Sequence, residues 1–276
     1  MKEVTKMLLE KFGLKTVAVI MWNKLRSIGL TITGQNIQDF RVTQDLKFKI
    51  DFAAKDAFSY FTIKSPEMIN EMKSFIRYSR GKKNFLDIGA LYGIFSLTFL
   101  VSNQNNSKAF AIEPSPKCQQ ILKIHKKLNP ELDFHIFPIA FGESNGQLTM
   151  HYEWHHLVTN HQSGRHKTLT VNGYPIDEFI NNYNFKPDLI KIDVEGFEYK
   201  VLTGGIDYLS RNNPLIFLEL HKQWISKYGN SVEDVINFLL KLQYAFYHLD
   251  GSKIENPNIV LKKIDSRIIC SKEDIN

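Results

Sequence analysis

The run Phe85-Leu86-Asp87-Ile88-Gly89-Ala90-Leu91-Tyr92-Gly93 decides the fold: an apolar strand ends at Gly89, the chain turns, and Gly93 to Val101 takes up helical spacing. A strand delivered straight into a helix through glycines is the first half of a parallel β-α unit. Downstream the alternation repeats. Lys108 to Glu113 reads as a second strand, Pro116 to Leu128 as a helix with Pro in its first turn, and Phe134 to Ile139 as a third strand. Asp188 to Asp193 is a buried strand, Gly196 to Leu209 a helix and Leu215 to His221 a further strand. Ser231 is an N-cap for a helix over Val232 to Leu242, and two last strands are expected at Tyr244 to Leu249 and Ile259 to Lys263. Upstream, Leu46 to Phe52 alternates like an edge strand and Pro66 to Tyr78 like a helix preceding the sheet. The expected architecture is α/β: a Rossmann-like, mostly parallel sheet with helices on both faces, closed by an antiparallel strand pair without a helix between.

One stretch breaks the rhythm. Gly146 to Tyr174 is polar and His-rich, with strand-like pieces at Gln147 to Tyr152 and Thr168 to Asn172, and reads as an inserted hairpin or lid over about 144–174. The 276 residues show no Pro/Gly/Ser-rich linker, so residues 46–276 are expected to form one domain behind an N-terminal helical extension over 1–45. Within that extension Met7 to Leu30 is basic and amphipathic. Its longest uncharged run, Thr16 to Asn23, is too short for a bilayer span, which leaves a helix packed on the domain or a peripheral membrane contact. The formal charge of +6 is spread along the chain with acids between, so no nucleic-acid partner is expected. The cysteines, Cys118 and Cys270, form no CxxC pair, and a reducing, cytoplasmic setting fits. Nothing in the sequence indicates an oligomeric state.

Ligands of open parallel sheets bind beyond the carboxyl ends of the strands. There Gly89 permits a sharp turn, Gly93 permits a close helix start, and Glu113 ends the next strand at the separation at which an acid reaches the ribose hydroxyls of a nucleoside. Nicotinamide and adenosylmethionine folds share that pairing. The glycine loop is not GxGxxG, and the two closing strands lack a crossover helix, both of which favour S-adenosylmethionine.

The blocks FLDIGALYGIFSL (85–97), AIEPSP (111–116), PIAFGE (138–143), PDLIKIDVEGFEYKVLTGG (187–205) and PLIFLELH (214–221) resemble, in order and spacing, those of the FkbM methyltransferases, a family of the class I S-adenosylmethionine-dependent superfamily. The resemblance implies that Asp87, Gly89, Ala90 and Gly93 surround the methionine part of the cofactor, that Glu113 takes the ribose, and that Ala140 and Phe141 lie by the adenine. The family commonly carries Asn where this chain has Leu91. A left-handed backbone there costs Leu about 1 kcal/mol or more, so either the loop has a different shape or cofactor affinity is reduced.

Methyl transfer needs an aligned nucleophile and usually a base, which adds about 100-fold or more. Asp193 and Glu195 follow the fourth strand, while Glu219 and His221 close its neighbour and, two apart, face the same way. His221 is the first candidate for the base with Glu219 orienting it, Asp193 would touch the cofactor or the acceptor hydroxyl, and Glu195 starts the next helix. A divalent metal on these groups is admitted by their chemistry but not demanded by their spacing, and none is expected. His151, His155, His156, His161 and His166 match no zinc spacing. With Tyr152 and Trp154 this stretch, His155 included, suits contact with a sugar or other hydroxylated acceptor; a plain surface hairpin or a metal site are the other readings.

The expected function is therefore O-methylation of a hydroxyl on a sugar, glycolipid or other small biosynthetic acceptor. No Asp-Pro-Pro-Tyr or Pro-Cys motif points to nucleobase chemistry. Leu91 and the basic N-terminal segment motivate an alternative, a binding or scaffold protein that kept the fold without turnover. A nicotinamide oxidoreductase is the third reading.

Overall fold

A computed structural model describes residues 37–103, 106–153, 156–158, 168–261 and 265–275; for 151–153, 156–158, 261 and 265 the description covers the backbone alone. The expected helix over Met7 to Leu30 lies outside these residues. Residues 38–276 form one compact unit.

The chain opens with a two-stranded hairpin, β1 (Ile37–Arg41) and β2 (Lys47–Asp51). Residues 37–45, expected within a helical extension, instead form β1 and the turn after it, and the expected edge strand pairs in this hairpin and not in the main sheet. Its Phe40, Phe48 and Ile50 are buried with Phe58 of α1 (Lys55–Ser59). The second helix, α2 (Pro66–Ser79), starts where Ser65 accepts from the Met68 amide and Pro66 occupies the first turn.

The main sheet is built from β3 (Asn84–Ile88), β4 (Lys108–Ile112), β5 (Asp133–Phe137), β10 (Leu189–Ile192), β11 (Leu215–His221), β12 (Ala245–Tyr247) and β13 (Asp265–Ser271) in the order β12-β13-β11-β10-β3-β4-β5. Only β13 runs antiparallel to its neighbours, so the closing antiparallel pairing is present. It begins at Asp265 and not at Ile259. The expected strand there is a short helix, α10 (Asn258–Leu261), so the two closing strands do have a helical turn between them.

Helices α3 (Ile94–Ser102) and α4 (Pro116–Leu128) follow β3 and β4. Beyond β5 the small strand β6 (Ala140–Phe141) joins β7 (Gly146–Glu153), β8 (His156–Val158) and β9 (Thr168–Tyr174) in a separate four-stranded sheet, the expected hairpin insertion. The return to β10 runs through α5 (Ile176–Tyr183), absent from the sequence reading although Ile176, Phe179, Ile180 and Tyr183 have its spacing. The helix expected over Gly196 to Leu209 is two, α6 (Glu198–Thr203) and α7 (Ile206–Arg211), split at Gly204-Gly205. After β11 come α8 (Lys222–Ile225) and α9 (Val232–Lys241), the latter closed by a reciprocal Ser231–Asp234 capping box.

Strand alternation sorts the core into two layers. Leu86, Ile88, Phe110, Ile112, Ile190, Ile192 and Leu218 face α5, α6 and α9. Phe85, Ala109, Ala111, Leu189 and Phe217 face α2 and α3. On that second face the same period of two carries Asp87, Lys191, Asp193, Glu219 and His221, so polar side chains continue an apolar layer toward the carboxyl end of the sheet.

Candidate active site

Gly89 leaves β3 with φ +83°, and a β-carbon there would stand 1.8 Å from the Asp193 carbonyl oxygen, so the first strand can turn beside the fourth only without a side chain. Leu91 follows with φ 49°, in the left-handed region. The loop thus has the left-handed shape an Asn would favour, so it is not shaped differently at this position.

That turn is braced from β4. The Leu91 amide donates to Glu113 Oε2 at 2.9 Å and the Ser115 amide to Oε1 at 2.7 Å. Glu113 is buried, and burial pushes its carboxyl up to about 7 against the lowering effect of the two amides. Around it lies a cleft of about 820 Å³, open mouth and solvent space included. Gly89, Glu113, Ala140, Phe141, Asp193 and Glu195 line it. So do Leu148 and Met150 of β7, which brings the insertion to the cleft wall beside Phe141.

Three other residues expected at the cofactor stand behind the wall. Asp87 is buried, accepts from Ser96 Oγ at 2.6 Å and faces α3. Burial raises its carboxyl to about 6, against the charge of Lys191. Gly93 packs helix α3 on Leu122 and Phe134, and Ala90 is buried among apolar side chains. None of the three is a lining residue of the cleft. Their spacing identified the turn, whereas the direction of the Asp87 side chain follows from the strand's alternation.

At the other end of the cleft the chain turns twice against the usual hand, with φ 52° at Glu195 and 99° at Gly196. A β-carbon on Gly196 would stand 2.5 Å from Trp224 Cβ, so the turn is pressed against α8. It brings Glu195 Oε2 to 3.6 Å from His221 Nε2, with Glu219 Oε1 at 3.6 Å and Asp193 Oδ1 at 3.9 Å from the same nitrogen. The expected convergence of Asp193, Glu195, Glu219 and His221 is present.

The orienting partner is different. His221 Nδ1 lies 2.8 Å from Glu198 Oε1, which also accepts from the Gly196 amide, while Glu219 is engaged by Arg267. Burial disfavours the imidazolium, but the Glu198 hydrogen bond and the charges of Asp193, Glu198 and Glu195 outweigh it and push His221 up to about 10. A ring that keeps its proton at neutral pH is a poor general base.

Behind these groups sit four residues the sequence reading passed over. Lys191 Nζ lies 2.8 Å from Asp193 Oδ2, and Arg267 reaches Glu67 at 2.9 Å and Glu71 at 3.0 Å besides Glu219. Burial raises Asp193 less than Lys191 and His221 lower it, leaving it at about 2. Burial and the neighbouring Asp193 raise Glu219 to about 8. A lysine inside the apolar run Leu189-Ile190-Lys191-Ile192 was a visible signal, since a buried cation demands a paired acid. Nothing in sequence connects Arg267 to Glu219; only the register of β13 on β11 does. Trp154 and His155 lie outside the described residues, as does the side chain of Tyr152.

The model of the FkbM methyltransferase domain matches residues 87–246, more than half of the chain, and the chain belongs to that family. Its sheet order gives it a Rossmann-like α/β fold. Among curated proteins it is similar to the hexuronic acid methyltransferase AglP of Haloferax volcanii, 26% identical over 118 residues, which are 42% of this chain and 48% of AglP. The match thus spans about half of that relative. Among solved structures, the methyltransferase FkbM of Methylobacillus flagellatus KT aligns at 17% identity and TM-score 0.46, over 70% of this chain and 44% of that one. The O-methyltransferase of Bacillus cereus in complex with SAH aligns at 11% and 0.42, over 80% and 88%.

Proposed function

We propose that the chain transfers a methyl group from S-adenosylmethionine to a hydroxyl oxygen of a sugar or a similarly hydroxylated small acceptor. The observation that carries this reading is the cleft itself, which has a braced nucleoside-type end at Glu113 and an acidic end at Asp193 and Glu195, with His221 Nε2 behind them at 3.9 and 3.6 Å.

The residues present fit the cofactor. Glu113 is fixed by two amides and borders the cleft, which suits the two hydroxyls of a ribose, and Phe141, Leu148 and Met150 offer an apolar wall for a purine. Asp193, held ionised by Lys191, lines the cleft and would offer negative charge to the cofactor's sulfonium. When bound, S-adenosylmethionine supplies an electrophilic methyl group for in-line displacement.

The acceptor end falls to the chain's own groups. Asp193 and Glu195 accept hydrogen bonds from the acceptor's hydroxyl, Glu195 takes its proton as the oxygen–methyl bond forms and the carbon–sulfur bond breaks, and the positive charge at His221 Nε2, 3.6 Å from Glu195 Oε2, holds that carboxylate in place. His221 in this reading contributes charge and position, replacing the base role expected from sequence. A sugar acceptor is supported by the named activity of AglP and by hydrogen-bonding groups that match hydroxyls. The alternative of a binding or scaffold protein keeps one observation in its favour, the strained Leu91 in the cofactor loop.

Calorimetry tests the reading. S-adenosylmethionine is expected to bind the wild-type chain, and Glu113→Ala to weaken it by about 10-fold or more, as loss of a carboxylate hydrogen-bonded to hydroxyls implies. No binding at millimolar cofactor discards the enzyme.

A further inference from the structure

Glu198 is the first residue of α6 and is fully buried, and a single one of its oxygens has two partners. Oε1 lies 2.8 Å from His221 Nδ1 and accepts from the Gly196 amide at 2.9 Å. These partners belong to the two segments that shape the acidic end of the cleft. Gly196 closes the turn in which Glu195 takes φ 52°, while His221 ends β11 and leads into α8, against which that turn is pressed at Trp224. A residue with a side chain keeps a left-handed backbone only where its surroundings over-determine it.

We infer that Glu198 is a positioning residue for Glu195: it joins the Glu195-Gly196 turn to the His221 imidazole and so sets where the Glu195 carboxylate stands. The part of Glu195 in proton transfer comes from the proposed function, and the catalytic meaning of this joint rests on that reading.

Capping of α6 does not by itself account for a glutamate here. Helix starts are served by Ser, Thr, Asn or Asp, whereas a fully buried carboxylate loses its hydration and is retained when a cation pairs with it. Burial pushes Glu198 up, and the His221 hydrogen bond is the first influence that opposes it. The same bond fixes the plane of the ring. With Nδ1 turned to Glu198, Nε2 stands 3.6 Å from Glu195 Oε2, with Glu219 Oε1 at 3.6 Å and Asp193 Oδ1 at 3.9 Å. Glu195 is thus held twice through one oxygen of Glu198, its backbone by way of the Gly196 amide and its carboxylate by way of the charged ring. Phe197, between the turn and α6, lines the cleft and sets its ring edge-on to Tyr228 at 5.2 Å, so a shift of the turn would move the cleft wall as well.

The joint can be measured without an acceptor. In the full chain, nuclear magnetic resonance follows the ring nitrogens of His221, identified by their loss in His221→Gln, and the backbone amide of Gly196. The wild-type ring is expected to stay doubly protonated through neutral pH and to titrate at about 10. Glu198→Gln keeps the size of the side chain but removes its charge, so the His221 midpoint is expected to fall toward the ordinary value near 6.5 and the Gly196 amide to exchange about 10-fold faster or more. Glu195→Gln separates positioning from a merely structural role. It is expected to lower the His221 midpoint in the wild-type background and to lower it much less in the Glu198→Gln background, because the ring and the turn are no longer joined. Glu143→Gln, which removes an exposed partner of Lys200, leaves both signals unchanged, and thermal melting confirms that each variant is folded. An equal effect of Glu195→Gln in both backgrounds overturns the inference. So does a neutral His221 ring in the wild type at pH 7, a result that needs no variant to fold. Calorimetry with S-adenosylmethionine on the same samples keeps the two readings apart: cofactor binding with an unchanged His221 midpoint in Glu198→Gln removes the joint alone, whereas no cofactor binding by the wild type removes the proposed function and with it the role of Glu195.

Discussion

Leu91 holds a left-handed backbone that costs a residue with a branched, apolar side chain about 1 kcal/mol or more, and its amide is one of the two donors that fix Glu113. Relaxing the strain would give up the brace, so the turn persists at the expense of stability. Leu91→Asn keeps the amide and relieves the backbone. Scanning calorimetry is expected to show Tm higher by about 2 to 4 °C, the shift that about 1 kcal/mol produces in a chain of this size, with cofactor binding equal or tighter. A lower Tm together with weaker binding would show that the leucine side chain itself is needed. His221 marks the limit of residue-level reading. Its place at the end of a strand was legible, but its protonation depends on Glu198, Glu195 and Asp193, whose approach follows from two left-handed turns that sequence does not display.

Among the elements, α4 is anchored by polar contacts that composition hides. His125 is fully buried on it, with Nδ1 2.8 Å from the Tyr92 carbonyl and Nε2 without a partner, and Asn129 at its end bonds both the amide and the carbonyl of Lys49 on β2. Burial lowers His125 to about 4, against the raising effect of the Tyr92 bond. Unfolded histidine takes a proton near 6.5 and the folded one only near 4, so between those values the unfolded chain binds more protons and stability falls as pH falls. The loss approaches about 3 kcal/mol at pH 4. Denaturant unfolding of wild type and His125→Gln is expected to show a gap in stability that narrows from pH 7 to pH 4; a constant gap would contradict a neutral buried ring. Elements driven by apolar period, such as β3, β10 and α2, were readable from sequence. The misread ones obey constraints from outside the element. The long helix is interrupted at Gly204-Gly205, where Gly204 passes so close to the Gly142 carbonyl that a β-carbon would stand 2.0 Å from it, and 258–261 form a helical turn although their apolar content suited a strand.

Across the molecule, one sheet face does two jobs. Its period of two buries Phe85, Leu189 and Phe217 against α2 and α3, then delivers Asp193 to the cleft and buries Glu219 and His221 beside it, with Lys191 and Arg267 supplying charge from within the layer. Strand order brings the first, second and fourth strand ends together, so Gly89, Glu113 and Asp193, distant in sequence, border one space. That assembly was legible because the β-α rhythm fixes which strand ends are neighbours. The ion-pair network was not, since Glu71 and Arg267 come from opposite ends of the chain. Among the described residues no helix is long and apolar enough to cross a membrane. The most direct measurement is a crystal structure of the chain with S-adenosylhomocysteine. The account predicts ribose hydroxyls within hydrogen-bond distance of Glu113 and the sulfur turned toward Asp193. A nucleoside bound away from Glu113, or none bound at millimolar concentration, would contradict it.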